Sequence, residues 1–595
     1  MHSCINHSGA PVIMSKYTLS IPKNSSMLSA VRRFLPYIKN EKGSLSLAFV
    51  SLIINSLTTL VAPVIIGITI NTSILHKQYQ GVITASLLLL LLYIIGFVSN
   101  YFQIKIMGGV GRRMLYMLRD AVFMKLQELP VAFFNQNKAG DLISRINNDT
   151  DNLNQFFSQA LMQFVGNIFL MIGAVIFILS LNVRLGLAAL VPAVLVLALT
   201  RVLSPWIKQK NAVSLKAVGG MSAEIAESLD NFKVVVAFNR RDYFRKHFDG
   251  VNEENYRGAL DAGIANNTFV PVYGLASNAA QIIVLFYGIA LIITGNFTIG
   301  FLVSYFVYLD RFYSPIRQIA SLWSSFQVAL AAWDRISVVL DMTSDMEVLP
   351  GESRTDQKDI LTFANVSFGY EAKEVLKNIN FSLEKGKTYA LVGPTGGGKT
   401  TTASLMARLY DPTSGEVLLG GRDIRSYTDA ERTKKIGFIL QEPFLFTGTV
   451  KDNILYGNDE YKRHSEEKLL EILKKEGLSD MLKRFDAGLM TPVTGRGETI
   501  SLGQSQLIAF VRAILRKPEL LILDEATANI DTVTEELLGK IIDKLPKETT
   551  KVVIAHRLNT IENADEIFFV NVGEITRAGS FKHAIDLLLK GKRES

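Results

Sequence analysis

"TYALVGPTGGGKTTTASLMARL", residues 388–409, decides how the rest of the chain is read. It opens with a β-prone apolar run, turns through Gly393, Pro394, Thr395, Gly396, Gly397 and Gly398, and leaves in a segment of helical period. Gly-x-x-x-x-Gly-Lys-Thr between a strand and a helix is the pattern of a phosphate-binding loop. Its glycines let backbone N–H groups face a phosphate at the positive end of the following helix. The spacing assigns Lys399 to the β- and γ-phosphates of ATP and the Thr400 hydroxyl to Mg2+, with Thr401 next in the same helical turn. Such an octet occurs by chance in long chains, but rarely with both flanks correct.

Working outward, short β-rich runs alternate with helical ones from about Leu361 ("KIGFIL", "LLILDE", "KVVIAH", "EIFFVN"), an α/β pattern with parallel strands. "LLILDEATANID" (520–531) is an apolar strand ending in two carboxylates. Asp524 is expected to hold a metal-bound water, and Glu525 to polarise the water that attacks the γ-phosphate. His556, in "IAHRL" after the next strand, is expected to orient that water or sense the γ-phosphate. Gln441, in "GFILQEPFLF", ends a strand and offers an amide oxygen to the metal. Tyr370, in "VSFGYEAKEVL", is a candidate to stack on adenine. Taken singly, solvated acids at strand ends and structural histidines are common. The argument rests on the ordered set.

The first half has a different texture. The 595-residue chain is 48% hydrophobic and 20% charged, with mean hydropathy +0.23, too oily for a wholly soluble protein. Six apolar runs, 44–71, 81–104, 158–181, 185–204, 269–294 and 298–323, each approach the ~20 residues that cross a bilayer. "ITASLLLLLLYIIGFV" (83–98) has no polar face, which a soluble helix normally keeps. Three short connections hold only two basic residues, Lys77 and Arg184, whereas the long ones, 105–157 and 205–268, are rich in lysine and arginine. Both termini fall on that basic side, predicted to be cytoplasmic. This bias accounts for the net charge of +8, so no nucleic-acid partner is expected.

The lone Cys4 excludes an intrachain disulfide framework. The predicted order is a tail over 1–25 without the features of a signal peptide, an interfacial elbow helix over 26–43 and a six-helix membrane domain over 44–330. A linker over 331–360 and a nucleotide-binding domain over 361–595 follow. The second membrane helix is predicted to continue into the cytoplasm as far as 129, for roughly 70 Å. Two bends interrupt the cytoplasmic stretches. One spans 133–153, with Asn135 as a helix N-cap and Gly140 as a break; the other lies within 212–240, with a turn-like piece at 227–244.

Together these features resemble the ABC transporter superfamily, specifically exporter-type half-transporters with an α-helical membrane domain fused to an α/β nucleotide-binding domain. The resemblance rests on Tyr370, "GPTGGGKT", Gln441, "ISLGQ", "LLILDEAT", "ANID" and His556, in that order. It implies a second half-transporter in the lipid bilayer and two ATP molecules sandwiched between the two nucleotide domains. Ser501, Gly503 and Gln504 of the signature loop would face the ATP held by the partner. The bends would couple the domains, with "VTGRGE" (493–498) as a cross-linking loop beside them.

The family's signature reads Leu-Ser-Gly-Gly-Gln. Here Leu502 stands for the first glycine and is expected to restrict φ where glycine is free. Ala528 stands where serine is usual, while Asp531 is kept. A heterodimer is therefore expected over a homodimer, this chain's Lys399, Glu525 and His556 facing an intact signature on a sister that itself lacks the glutamate.

The expected activity is ATP-driven export or flipping of amphipathic small molecules, with lipids, lipid-linked molecules or peptides as alternative cargo. The membrane is expected to be a prokaryotic cell membrane. A DNA-repair or translation-type ATPase would lack the spans, importers usually separate the two domains, and a gated channel would pass ions without coupled turnover. Asn100, Gln103, Asn167, Asn278, Gln281, Tyr287, Phe301, Tyr305, Phe306 and Tyr308 are candidates for the cargo wall or, equally, for helix packing.

Overall fold

Apolar runs of membrane length become long helices. The computed structural model describes residues 17, 19, 39, 41–351, 358–370, 373–494, 500–524, 530–554, 564–579, 582, 583 and 586. The chain divides into two compact units. One is helical (19–127 and 139–341); the other joins 1–18 and 128–138 to 342–595.

Among the described residues of the helical unit, five helical stretches have the length and apolarity to cross a membrane: Lys42–Ile74, Tyr79–Glu128, Ala139–Leu181, Val183–Asp230 and Arg241–Ile293. The stretch Tyr79–Glu128 is one helix of 50 residues, about 75 Å at the usual rise, so the second span does continue well beyond the bilayer. It leaves Leu87, Leu90 and Phe97 exposed, a surface that suits lipid. A single residue, Asn182, separates Leu161–Leu181 from Val183–Asp230, and its side chain accepts from the Leu185 N–H at 3.0 Å. The helix Ile299–Leu340 carries Asp310 and Arg311 within its apolar run.

That last helix is held by small residues and buried hydroxyls. A Cβ on Gly300 would sit 2.1 Å from the Gly67 carbonyl oxygen, so the first and last helices cross in near backbone contact. Ser304 donates to Pro63 O at 2.6 Å, Tyr305 to Asn182 O at 2.8 Å, Tyr313 to Ala189 O at 2.9 Å, and Tyr308 to Leu60 O. Tyr305 and Tyr308 are fully buried, which fits the helix-packing alternative for both: their hydroxyls take neighbouring backbone carbonyls as partners. Asn167 is buried too, and Tyr287, Phe301 and Phe306 pack against the same core. Asn100 and Asn278 stay exposed.

The first bend is two structures, not one. Residues 128–138 belong with the nucleotide domain, and 139 onward with the helical unit. Asn135 lies inside the short helix Val131–Gln136 and caps nothing; its amide donates to the hydroxyl of Tyr410 at 2.6 Å. Gly140 sits within the helix Ala139–Ser144 rather than breaking one. Further on, Arg145 donates to Asp141 and, at 2.6 Å, to Arg335 O, while Arg335 donates to the buried Asp149 at 2.8 Å. These charges tie the bend's second half to the helix Ile299–Leu340. The second bend is the short helix Phe232–Ala237, between Val183–Asp230 and Arg241–Asn267. Helix Ile299–Leu340 also takes in 331–340, expected to be linker. The elbow at 26–43 lies largely outside the described residues.

The nucleotide domain has the expected α/β build. Strands β1 (Asp359–Tyr370), β2 (Lys373–Glu384), β4 (Ser414–Leu419) and β5 (Arg422–Asp423) form an antiparallel sheet in the order β2-β1-β4-β5. A second sheet contains β3 (Thr388–Val392), β6 (Ile436–Ile439), β9 (Leu520–Asp524), β10 (Thr550–Ile554), β11 (Glu566–Asn571) and β12 (Glu574–Arg577), in the order β12-β11-β3-β10-β9-β6. All its neighbours are parallel except β12. A small ribbon pairs β7 (Gly448–Thr449) with β8 (Pro492–Val493). In β9 every residue of "LLILD" is buried, as a central strand covered on both faces requires.

Candidate nucleotide site and signature loop

Parallel strands bring their C-terminal ends to one edge, the edge where open α/β sheets bind ligands. Ile554 at the end of β10 pairs with both Asp524 of β9 and Leu391 of β3, so the phosphate loop and Asp524 emerge on either side of β10 at the same edge. Glu525 and His556 follow directly in sequence but lie outside the described residues, as do Ala528 and most of "VTGRGE".

The loop after β3 is shaped by close approach. A Cβ on Gly393 would lie 2.0 Å from the Val570 carbonyl oxygen, and one on Gly397 2.7 Å from it. Gly398, with φ +112, is the N-cap of the helix Lys399–Met406, a conformation side chains rarely adopt. Lys399 is buried, and its ammonium donates to Gly393 O at 2.9 Å and Pro394 O at 3.0 Å. The Thr400 hydroxyl reaches Asp524 Oδ1 at 3.4 Å. That places a hydroxyl and a buried carboxylate together at the mouth of the loop. Among the described residues no group of three or more His, Cys, Asp or Glu is placed to hold a metal. A hydroxyl and one carboxylate fit a cation that shares its remaining sites with phosphate and water.

Tyr370 closes β1. Its ring meets Phe368 and Tyr410 edge-on, with centroids 5.0 and 5.3 Å away, its hydroxyl is 3.4 Å from that of Thr401, and it stays 40% exposed. Tyr410 was not anticipated from the sequence, although "RLYDP" directly follows the loop's helix. Burial is the largest cause raising its phenol pKa, with Tyr370 adding to it, while the Asn135 hydrogen bond opposes the rise. Gln441 lies two residues beyond β6, and its carbonyl accepts from the buried Gln506 amide at 2.9 Å.

The signature loop is a regular helix start. Ser501 is the N-cap of Leu502–Ile514, with a reciprocal capping box: Ser501 Oγ accepts from Gln504 N at 3.2 Å, and Gln504 Oε1 from Ser501 N at 2.8 Å. The Gln504 amide also donates to Arg484 O. Leu502 occupies the first helical position and is not among the residues with positive φ, so the expected backbone restriction is not what distinguishes it. What it adds is bulk, 45% exposed beside the helix N-terminus. The sterically constrained glycine is Gly503, whose Cβ would lie 3.1 Å from Thr534 Oγ1 and 3.2 Å from Asp531 Oδ1. Asp531 caps the helix Thr532–Asp543; the Thr534 hydroxyl and amide are the leading causes holding its carboxyl below the usual range.

A multi-pass helical unit fused to a phosphate-loop domain defines a membrane protein that binds ATP. The family model for the ABC transporter transmembrane region matches residues 45–316, and the ABC transporter model matches 376–528. The chain is 32% identical over 564 residues to an uncharacterized ABC transporter ATP-binding protein, YknV, of Bacillus subtilis, covering 94% of this chain and 92% of that one. It is 31% identical to the probable multidrug resistance ABC transporter ATP-binding/permease protein YheH of the same species, covering 86% and 77%. To the ATP-dependent lipid A-core flippase of Pasteurella multocida it is 29% identical, covering 95% and 97%. The chain belongs to the ABC transporter superfamily, as an exporter-type half-transporter that couples ATP hydrolysis to export or flipping. Exporters of this family work as dimers in a lipid bilayer.

Proposed function

We propose that this chain is one half of a heterodimeric exporter of amphipathic small molecules or lipids. Its own ATP site turns over, while the site completed by its signature loop holds ATP and cycles slowly. The observation that carries this is Leu502, a half-exposed branch at the helix start where the family has glycine, between a correctly formed Ser501 cap and the tightly packed Gly503.

At this chain's site, the backbone N–H groups of 393–398 and the Lys399 ammonium bind and orient the phosphates. For that, Lys399 exchanges the Gly393 and Pro394 carbonyls for phosphate oxygens. Thr400, Asp524 and Gln441 hold Mg2+, which neutralises charge on the phosphate oxygens when bound. Glu525 accepts a proton from the attacking water, and His556 orients that water. Tyr370 offers its open face to adenine. Ser501, Gly503 and Gln504 frame the helix N-terminus aimed at the partner's γ-phosphate.

The helix Phe232–Ala237 leaves Phe232 and Val234 exposed, followed by Phe238, and the nucleotide domain exposes Phe444 and Tyr456. These surfaces support docking of a second subunit. The lysines and arginines of the long connections support a cytoplasmic nucleotide domain and termini, and the bacterial relatives support a prokaryotic cell membrane. The named relatives, a multidrug exporter and a lipid flippase, support apolar or amphipathic cargo.

One observation favours a homodimer instead: the signature helix is capped normally despite Leu502. The test is to purify the chain alone and together with the product of a neighbouring gene, and to count cycling and occluded ATP per complex. One of each supports the heterodimer; strong turnover by the chain alone, at two equivalent sites, refutes it.

A further inference from the structure

We propose that Tyr17, in the segment ahead of the first membrane helix, is a positioning residue that fastens the first bend to the nucleotide domain and so sets its affinity for ATP. The proposal rests on reading that bend as the coupling element.

Tyr17 is 3% exposed. Three groups, distant in sequence, surround it. Its ring meets Phe133 of the bend edge-on, with centroids 6.5 Å apart. Its carbonyl accepts from Asn137 Nδ2 at 2.9 Å, and the same amide donates to Phe133 O at 2.8 Å, closing the end of the helix Val131–Gln136. Its hydroxyl donates to the Asp345 carboxylate and accepts from the Asp345 backbone N–H at 3.2 Å. One residue thus meets the bend through its ring and its backbone carbonyl, and the domain linker through its hydroxyl.

The linker is itself fixed to the nucleotide domain. Arg408, buried, donates to Glu347 O at 2.9 Å, and the Leu349 N–H donates to Arg425 O at 3.0 Å. The bend touches the domain again through Asn135 and Tyr410, and Tyr410 packs edge-on against Tyr370. A cavity of about 1070 Å³ lies among these residues, lined by Tyr17, Asn135, Asp345, Tyr370 and Tyr410 among others. The bend thus buries Phe133 fully and also borders this open space, and among the described residues Tyr17 is an attachment supplied from outside both the bend and the nucleotide domain. Loosening that point gives the helix Val131–Gln136 freedom, and the freedom reaches Tyr370 through Tyr410.

The experiment uses the full chain in lipid nanodiscs, with its partner subunit where activity requires one. It measures KM and kcat with MgATP, and amide hydrogen exchange over 131–137. For Tyr17→Ala the expected KM rises about fivefold, the factor made by losing one ordinary hydrogen bond, with kcat unchanged within about twofold. Exchange over 131–137 should quicken about tenfold, while that of the helix Leu502–Ile514 stays as it was. Tyr17→Phe keeps the ring against Phe133 but gives up the same hydroxyl hydrogen bond to Asp345, so its KM should rise by a similar factor, and the proposal stays testable if the alanine variant does not fold.

Unchanged KM and unchanged bend exchange in both variants would overturn the proposal. So would a fall in kcat with faster exchange throughout the nucleotide domain, the mark of a merely structural role. Asn135→Ala separates the two levels. If it raises KM where Tyr17→Ala does not, Tyr17 is wrongly assigned; if it too leaves KM unchanged, the coupling reading of the bend fails.

Discussion

Replacing Leu502 with glycine restores the family's signature and isolates what the side chain does. The structure gives the cost. Leu502 stands at the first helical position with an ordinary φ and is 45% exposed, so the change removes about half of a leucine's burial, roughly 1 kcal/mol. Glycine's lower helix propensity adds up to about 1 kcal/mol, and less at a capped end. The sum, about 1–2 kcal/mol, lowers the melting temperature of a domain this size by roughly 2–8 °C. Against that loss stands relief of the bulk beside the helix N-terminus. If the side chain keeps the partner's γ-phosphate from the Ser501 helix, Leu502→Gly should raise turnover at the affected site about tenfold, which corresponds to ~1.4 kcal/mol in the barrier. The assay is ATP turnover and nucleotide occlusion by the assembled transporter in nanodiscs, with thermal unfolding alongside. A melting temperature lowered as expected, with turnover unchanged, would refute the steric account and leave Leu502 a tolerated substitution.

Gly503→Ala should behave in the opposite way: its Cβ, 3.1 Å from Thr534 Oγ1, forces the cap of the helix Thr532–Asp543 aside, costing about 1–2 kcal/mol and lowering both melting temperature and turnover. Gly300→Ala should cripple the membrane domain, because a methyl 2.1 Å from Gly67 O cannot be accommodated without parting the helices. Loss of a monodisperse peak on size exclusion in detergent checks it. Lys399→Ala should abolish ATP binding, whereas Glu525→Gln should keep binding and trap ATP; filter binding and single-turnover hydrolysis distinguish them, and wild-type turnover by Glu525→Gln would remove its assigned role.

Local sequence made the elements legible because their signals are local. Apolar length marks a span, and "ITASLLLLLLYIIGFV" gave one inside a helix of 50 residues. A glycine-rich turn between strand and helix marks a phosphate loop wherever it sits, and "LLILD" became a fully buried strand of the same sheet. Fold class and nucleotide chemistry followed from such runs and their order.

Partnership was not legible. Whether Tyr305 and Tyr308 face cargo or clasp a neighbouring helix depends on carbonyls more than a hundred residues away. Asn135 has the composition of a cap, yet its amide is used 275 residues further along the chain, on Tyr410. Leu502 looked like a backbone defect until Ser501 proved to be the cap, which put Leu502 one step inside the helix at a φ any residue adopts. Tyr17 was not singled out, since the short apolar run and alternation around it, "VIMSKYTLSI", name no partner. The reason is the same each time: a polar group must find a partner once water is gone, and packing alone decides which distant residue provides it.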